Sequence, residues 1–187
     1  YLMLFPNSKY FNAIMLNLAE SYFAIKKTSQ AGMVYEKLYV RTKKTKKEYI
    51  DSSIQSYALT LKTPDKFSKL EVAESREGFR DVGAFFAKSY PQDPANAMIY
   101  FNIARTYYDE REFEKAARSF MSFINLFPNH KEATTAGNLI LDSYNQREDY
   151  DGLVKSGKAL IANARLNNPQ FKKDVGEIVK QAEYRKL

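Results

Sequence analysis

Residues 90–129 read YPQDPANAMIYFNIARTYYDEREFEKAARSFMSFINLFPN, opening on Tyr90-Pro91-Gln92 and closing on Phe127-Pro128-Asn129, with 37 residues from one proline to the next. Tyr100, Ile103, Ala104 and Tyr107 recur at helical spacing, and so do Phe113, Ala116, Phe120 and Phe123. Each half therefore predicts an amphipathic helix, with Asp109 to Glu112 as the turn between them. Ala104 and Ala116 supply small side chains where two helices, roughly 8–10 Å apart, approach closest. Asp93 before Pro94 and Asn168 before Pro169 place a capping oxygen ahead of a first-turn proline, so helices are expected to begin there.

Working outward, the same frame recurs twice. A tyrosine follows each framing proline by sixteen residues, and a small or apolar residue follows nine further on: Pro6, Tyr22 and Ala31; Pro91, Tyr107 and Ala116; Pro128, Tyr144 and Leu153. From Pro6 to Pro91 the distance is too long for one period, which predicts an enlarged helical pair between the first copy and the second. Its first helix is expected from about Thr45 to Lys62 with Ile50, Ile54, Tyr57 and Leu61 on one face. Thr63-Pro64 should open its second, carrying Phe67, Leu70, Phe79, Val82, Phe86 and Tyr90. The enlargement either fills the stack or serves a particular partner. A terminal helix over 169–185 should cover the last pair through Phe171, Val175, Ile178, Val179 and Ala182. The expectation is a single all-α domain over residues 1–187, of about four antiparallel pairs (7–43, 45–90, 94–127 and 131–166) plus that capping helix.

Tyr100-x2-Ile103-Ala104-x2-Tyr107, Ala116-x3-Phe120 and Pro128 resemble the tetratricopeptide repeat signature, with Tyr100 in place of its tryptophan and Ala104 in place of its glycine. Met15-x2-Leu18-Ala19-x2-Tyr22 with Ala31-x3-Tyr35 is similar, and Gly137-x2-Ile140-Leu141-x2-Tyr144 with Leu153-x3-Gly157 is a degenerate copy. The resemblance implies a right-handed α-solenoid whose first helices line a concave groove for a segment of another protein. Carried over position by position, the groove residues are Leu16, Asn17, Glu20 and Phe23, then Phe101, Asn102, Arg105 and Tyr108, then Asn138, Asp142 and Asn145. Each aromatic among them has a plain alternative as packing between neighbouring repeats. The Lys and Asn arrangement by which some relatives clamp a C-terminal carboxylate is missing. The Phe/Tyr-Pro-Asn words, with periods slightly over the family's usual 34, resemble bacterial cell-envelope members: the barrel-assembly lipoprotein, the cell-division coordinator and gliding-motility accessory proteins. That likeness implies a scaffold or adaptor in an envelope assembly, periplasmic or outer-membrane-associated, with the cytoplasm as the alternative.

Composition narrows the chemistry. The 187 residues are 44% hydrophobic and 27% charged, a globular balance, with no cysteine and His130 alone among histidines. Thiolate nucleophiles, disulfides and cysteine metal sites are thereby excluded, and no phosphate-cradling glycine loop or hydrolase nucleophile motif is present. His130 is expected to be a turn or surface residue. Asp109 with Glu110, and Glu148 with Asp149, read as turn and helix-start residues rather than a catalytic pair. An enzyme is not expected, nor a cofactor or metal. The net charge of +7 is concentrated in residues 1–62, which carry ten cations and four anions. Its centre is Arg41, Lys43, Lys44, Lys46 and Lys47, either a solvated junction or a contact for anionic lipid, an acidic protein or nucleic acid. Because Tyr39 and Tyr49 only flank the run, stacked single-stranded nucleic acid is not the expected guest. No run is long enough to span a membrane. The chain starts at Tyr1 without a methionine, as a fragment or processed product would, so a signal peptide or lipid-anchor cysteine could precede it.

Overall fold

The computed structural model describes residues 7–44 and 46–185. Phe5, Pro6 and Thr45 lie outside the described residues. Every regular element among those described is helical: α1 (Phe11–Ala24), α2 (Thr28–Arg41), α3 (Lys47–Lys62), α4 (Lys69–Ser89), α5 (Asn96–Asp109), α6 (Phe113–Leu126), α7 (Ala133–Asn145), α8 (Tyr150–Ala162) and α9 (Pro169–Arg185), with one 3-10 turn at Pro64–Lys66. This is the all-α helix-pair architecture that the repeat frame implies. The chain divides into two compact units, one ending at Pro91 and the other beginning at Gln92, and within each unit successive helices pack on one another.

The turns inside the three framed pairs are built alike. Lys26, Arg111 and Glu148, each twenty residues after a framing proline, adopt left-handed φ values of 62°, 61° and 56°. The next N–H, of Lys27, Glu112 and Asp149, donates to the carbonyl of the frame tyrosine, Tyr22, Tyr107 and Tyr144, at 2.9–3.0 Å. That bond and the one preceding it close a Schellman turn, which satisfies the last helical carbonyls and reverses the chain. The three residues are not glycine, so each turn carries the steric cost of a side chain in the left-handed region.

In the first unit, Ala19 and Ala31 are fully buried where α1 meets α2, with Met15, Val34, Tyr35 and Leu38 around them. α3 approaches α2 along small and hydroxylated residues. Ser53 Oγ donates to the Gly32 carbonyl at 2.9 Å, and the buried Thr28 and Thr60 hydroxyls share a 2.6 Å hydrogen bond. Tyr57 of α3 inserts its ring between Gly32 of α2 and Gly78 of α4, where any Cβ would overlap it. The enlarged pair departs from expectation at its turn. Thr63-Pro64 opens only the 3-10 turn, which leaves Phe67 outside any helix. α4 instead starts behind a capping box, in which Ser68 Oγ accepts from the Glu71 N–H and the Glu71 carboxylate accepts from the Ser68 N–H. Leu70, one turn too early to reach the core, is 67% exposed.

In the second unit, Ala104 and Ala116 are fully buried and let Phe101 of α5 reach Phe120 and Phe123 of α6 at ring separations of 5.6 and 5.5 Å. The degenerate third copy has a structural reason. Gly137 stands where the frame calls for a large residue, and Phe171 of α9 occupies that space; Gly157 stands where Phe120 stands in the copy before, and Val179 of α9 fills it. Phe171, Val175, Val179 and Ala182 are buried as expected of a covering helix, whereas Ile178 is 36% exposed and turns toward a cleft. Asn168 caps α9 by accepting from the Phe171 N–H at 3.0 Å, with Pro169 in the first turn. Asp93 accepts from the Ala95 N–H at 2.9 Å in the turn before α5, but the helix begins at Asn96 rather than at Pro94, with Ala95 at its N-cap and no side-chain capping bond.

Candidate protein-binding surfaces

Three of the expected groove residues converge in the second unit. Asn138, Asp142 and Asn145 lie on one face of α7 and line a cleft of about 330 Å³, opposite Ile178, Gln181 and Arg185 of α9, with Leu141, Leu153 and Ala182 supplying apolar wall. The α9 residues were missed at sequence level because that helix reads as a cover. The spacing Val175-x2-Ile178-Val179-x2-Ala182, which repeats the first-helix frame, is the signal that could have found them. Amide side chains at Asn138, Asn145 and Gln181 offer donors and acceptors to a peptide backbone, and the apolar wall offers a seat for one side chain.

On α5 the expected residues divide. The Tyr108 hydroxyl donates to Asp142 Oδ2 in a short hydrogen bond that ties α5 to α7. The bond to Asp142, followed by burial, pushes the Tyr108 hydroxyl up to about 12. Arg105 forms a 3.0 Å pair with Asp109, both exposed, so the pair adds little stability. Asn102 is half-buried. Phe101 is a buried core residue and presents no surface to a guest. In the first unit, Asn17 and Glu20 are exposed on α1, and Phe23 packs against the α1–α2 core.

The basic run sits at the α2–α3 junction. The sequence shows no aromatics among these cations, but folding brings rings to them from elsewhere in the unit. Arg41 stacks 4.0 Å over Phe11 and donates to Asn12, Lys44 lies 4.0 Å over Phe85, and Lys47 lies 4.6 Å over Phe86 while pairing with Asp51 at 3.0 Å. Lys46 faces Glu48 at 3.9 Å. Lys43 and Lys44 both adopt left-handed φ, at 52° and 60°. The run is thus partly a structural junction. His130 accepts the Glu132 N–H at 3.2 Å and lies edge-on to Phe123, a turn-stabilising placement.

Among the described residues no helix is long and apolar enough to cross a membrane. The architecture defines a class, an all-helical helix-pair repeat protein, here with a polar cleft on α7. The tetratricopeptide repeat model matches residues 13–41 and 99–130, which are the α1–α2 pair and the stretch from α5 through the turn after α6. Among solved structures, the chain is similar to kinesin light chain nearly identical TPR-like repeats of Podosopora anserina, at 14% identity over 91% of this chain and 84% of that one, TM-score 0.49. It is also similar to BtubC (BKLC) of P. vanneervenii, at 14% identity over 94% of this chain and 81% of that one, TM-score 0.49. No curated protein matches the sequence significantly.

Proposed function

We propose that this chain is a non-catalytic protein-binding adaptor that holds an extended segment of another protein on the polar face of its first helices. Tetratricopeptide repeats are protein-interaction scaffolds as a rule, and two helix pairs here match that family. The observation that carries the reading is the α7–α9 cleft, where Asn138, Asp142 and Asn145 meet Ile178, Gln181 and Arg185 around an apolar wall. Asn17 and Glu20 on α1 and Asn102 and Arg105 on α5 extend the polar lining within their own units. The Pro-anchored words support a bacterial envelope assembly as the setting; cell fractionation of the native protein tests that setting.

The binding reading is tested by selecting peptides from a random library on the full chain and measuring their affinity for variants. Asn138→Ala with Asn145→Ala is expected to weaken the selected peptides at least tenfold, while Lys43→Glu with Lys44→Glu leaves them unchanged. The reverse pattern would overturn the cleft and favour the basic run as an anionic-surface site, whose binding would fall steeply with salt.

A further inference from the structure

A hollow in the first unit lies between α2 and α4, which are the second helices of their pairs. It is an open groove of about 600 Å³. The ring of Tyr57 forms its base, admitted by the absence of side chains at Gly32 and Gly78, and Met33 and the 58%-exposed Val40 form an apolar strip along α2. The walls are acidic. Glu74, Glu77 and Asp81 stand on one face of α4 at successive helical turns, and Glu36 faces them from α2, where it accepts from the Tyr57 hydroxyl at 2.9 Å.

Acidic groups outnumber basic ones along this lining, with Glu36, Glu74, Glu77 and Asp81 against Lys37 and Arg41. Among the described residues Glu74, Glu77 and Asp81 form no ion pair. Among the described residues that line the groove the cations are Lys37 and Arg41, and Arg41 also donates to Asn12 and stacks on the Phe11 ring. Burial and then the carboxylates of Glu36, Glu74 and Asp81 push the Tyr57 hydroxyl up, while the Glu36 carboxyl is pushed up by burial and by Asp81 against the lowering effect of the Tyr57 hydrogen bond and of Lys37. The local field opposes the protein's overall charge, in a stretch where residues 1–62 are themselves net basic.

We propose that the α2–α4 groove binds a short amphipathic helical segment of another protein, which sets an aliphatic residue on Met33 and Val40 and Lys or Arg side chains against Glu74, Glu77 and Asp81. The α4 carboxylates from Glu74 to Asp81 span roughly 10 Å at 1.5 Å per residue, the reach of cations at i, i+4 and i+7 on a guest helix. An apolar strip beside uncompensated carboxylates selects such a guest over an acidic or wholly polar one. The site lies on the second helices, so it goes beyond the first-helix adaptor reading and stands or falls separately from it.

The test uses the full chain and a fluorescein-labelled 16-residue helix-forming peptide with Lys at three positions spaced i, i+4, i+7 and Leu on the adjoining face, with a Lys→Glu version as control. Anisotropy is expected to show binding that weakens as salt rises, and no binding of the control. Glu74→Gln, Glu77→Gln and Asp81→Asn together should lower affinity at least tenfold with an unchanged circular dichroism spectrum, while Asn138→Ala with Asn145→Ala should leave it intact. Backbone amide shifts are expected at Met33, Val40 and Gly78. Equal affinity for the triple variant, no measurable binding at low salt, or shifts confined to α7 and α9 would overturn the proposal. So would self-association of the free chain that the triple variant abolishes, because the occupant would then be the basic run of a second copy.

Discussion

Replacing Gly157 with alanine tests how α9 closes the second unit. A Cβ at this position would overlap Val179 Cγ2, with Val175 Cγ1 and Leu141 Cδ2 in van der Waals contact at 3.5 and 3.6 Å. Overpacking of a filled core costs roughly 1–3 kcal/mol. The helical preference of alanine over glycine returns roughly 0.5–1 kcal/mol. Gly157→Ala is therefore expected to destabilise by about 1 kcal/mol. Val179→Ala removes two buried methyl groups at roughly 0.8 kcal/mol each and leaves a small void, for a loss of about 2 kcal/mol. The double variant should lose about 1 kcal/mol rather than the sum of about 3, because the new methyl occupies the space the valine vacates while the helical gain of alanine remains, a coupling of about 2 kcal/mol. Urea titrations followed by circular dichroism give each value from the midpoint shift at constant slope. Gly176→Ala on α9 is the control: its Cβ would meet open space, so a gain of roughly 0.5–1 kcal/mol is expected. A Gly157→Ala protein as stabilised as the control, or a cycle with no coupling, would refute the argument that glycine makes room for α9.

Other outcomes follow from the turns and the buried polar contacts. Glu148→Gly and Arg111→Gly should each stabilise by about 0.5–1 kcal/mol in the same titration, because both residues hold left-handed φ. Tyr108→Phe should cost about 1 kcal/mol at neutral pH by removing the bond to Asp142. The folded-state hydroxyl is raised to about 12 from an ordinary 10.0, so that contribution is complete below pH 10 and fades as pH rises through 12; comparing the two proteins along an alkaline series checks it. Burial raises the Glu36 carboxyl above its unfolded value of 4.5, so Glu36 favours the folded state when protonated and loses that benefit as pH rises through its raised value. Glu36→Gln keeps an acceptor for Tyr57, and its melting temperature should exceed wild type at pH 7 with the gain gone at pH 3.

The regularity of the chain made its helices legible. Framing prolines, tyrosines at fixed offsets and alanine pairs at close approaches depend on local periodicity alone, and Asn168-Pro169 announced the start of α9 by its own capping chemistry. Thr63-Pro64 misled for a local reason as well: proline starts a turn of either helical kind, and the stronger Ser68–Glu71 box downstream took the start of α4.

What the sequence determined by itself is the all-α helix-pair class, the repeat register and the tetratricopeptide likeness, since all three rest on spacings within one or two helices. Tertiary structure alone decided which residues face one another. It buried Phe101, joined Tyr108 to Asp142, and brought Phe85 and Phe86 to the lysines. It also filled the places of Gly137 and Gly157 with side chains from α9, and gathered Glu36 with the α4 carboxylates around Tyr57. These pairings join residues up to several tens of positions apart, and a side chain's partner across a packed interface is set by the approach of the two helices, which no single-helix periodicity encodes.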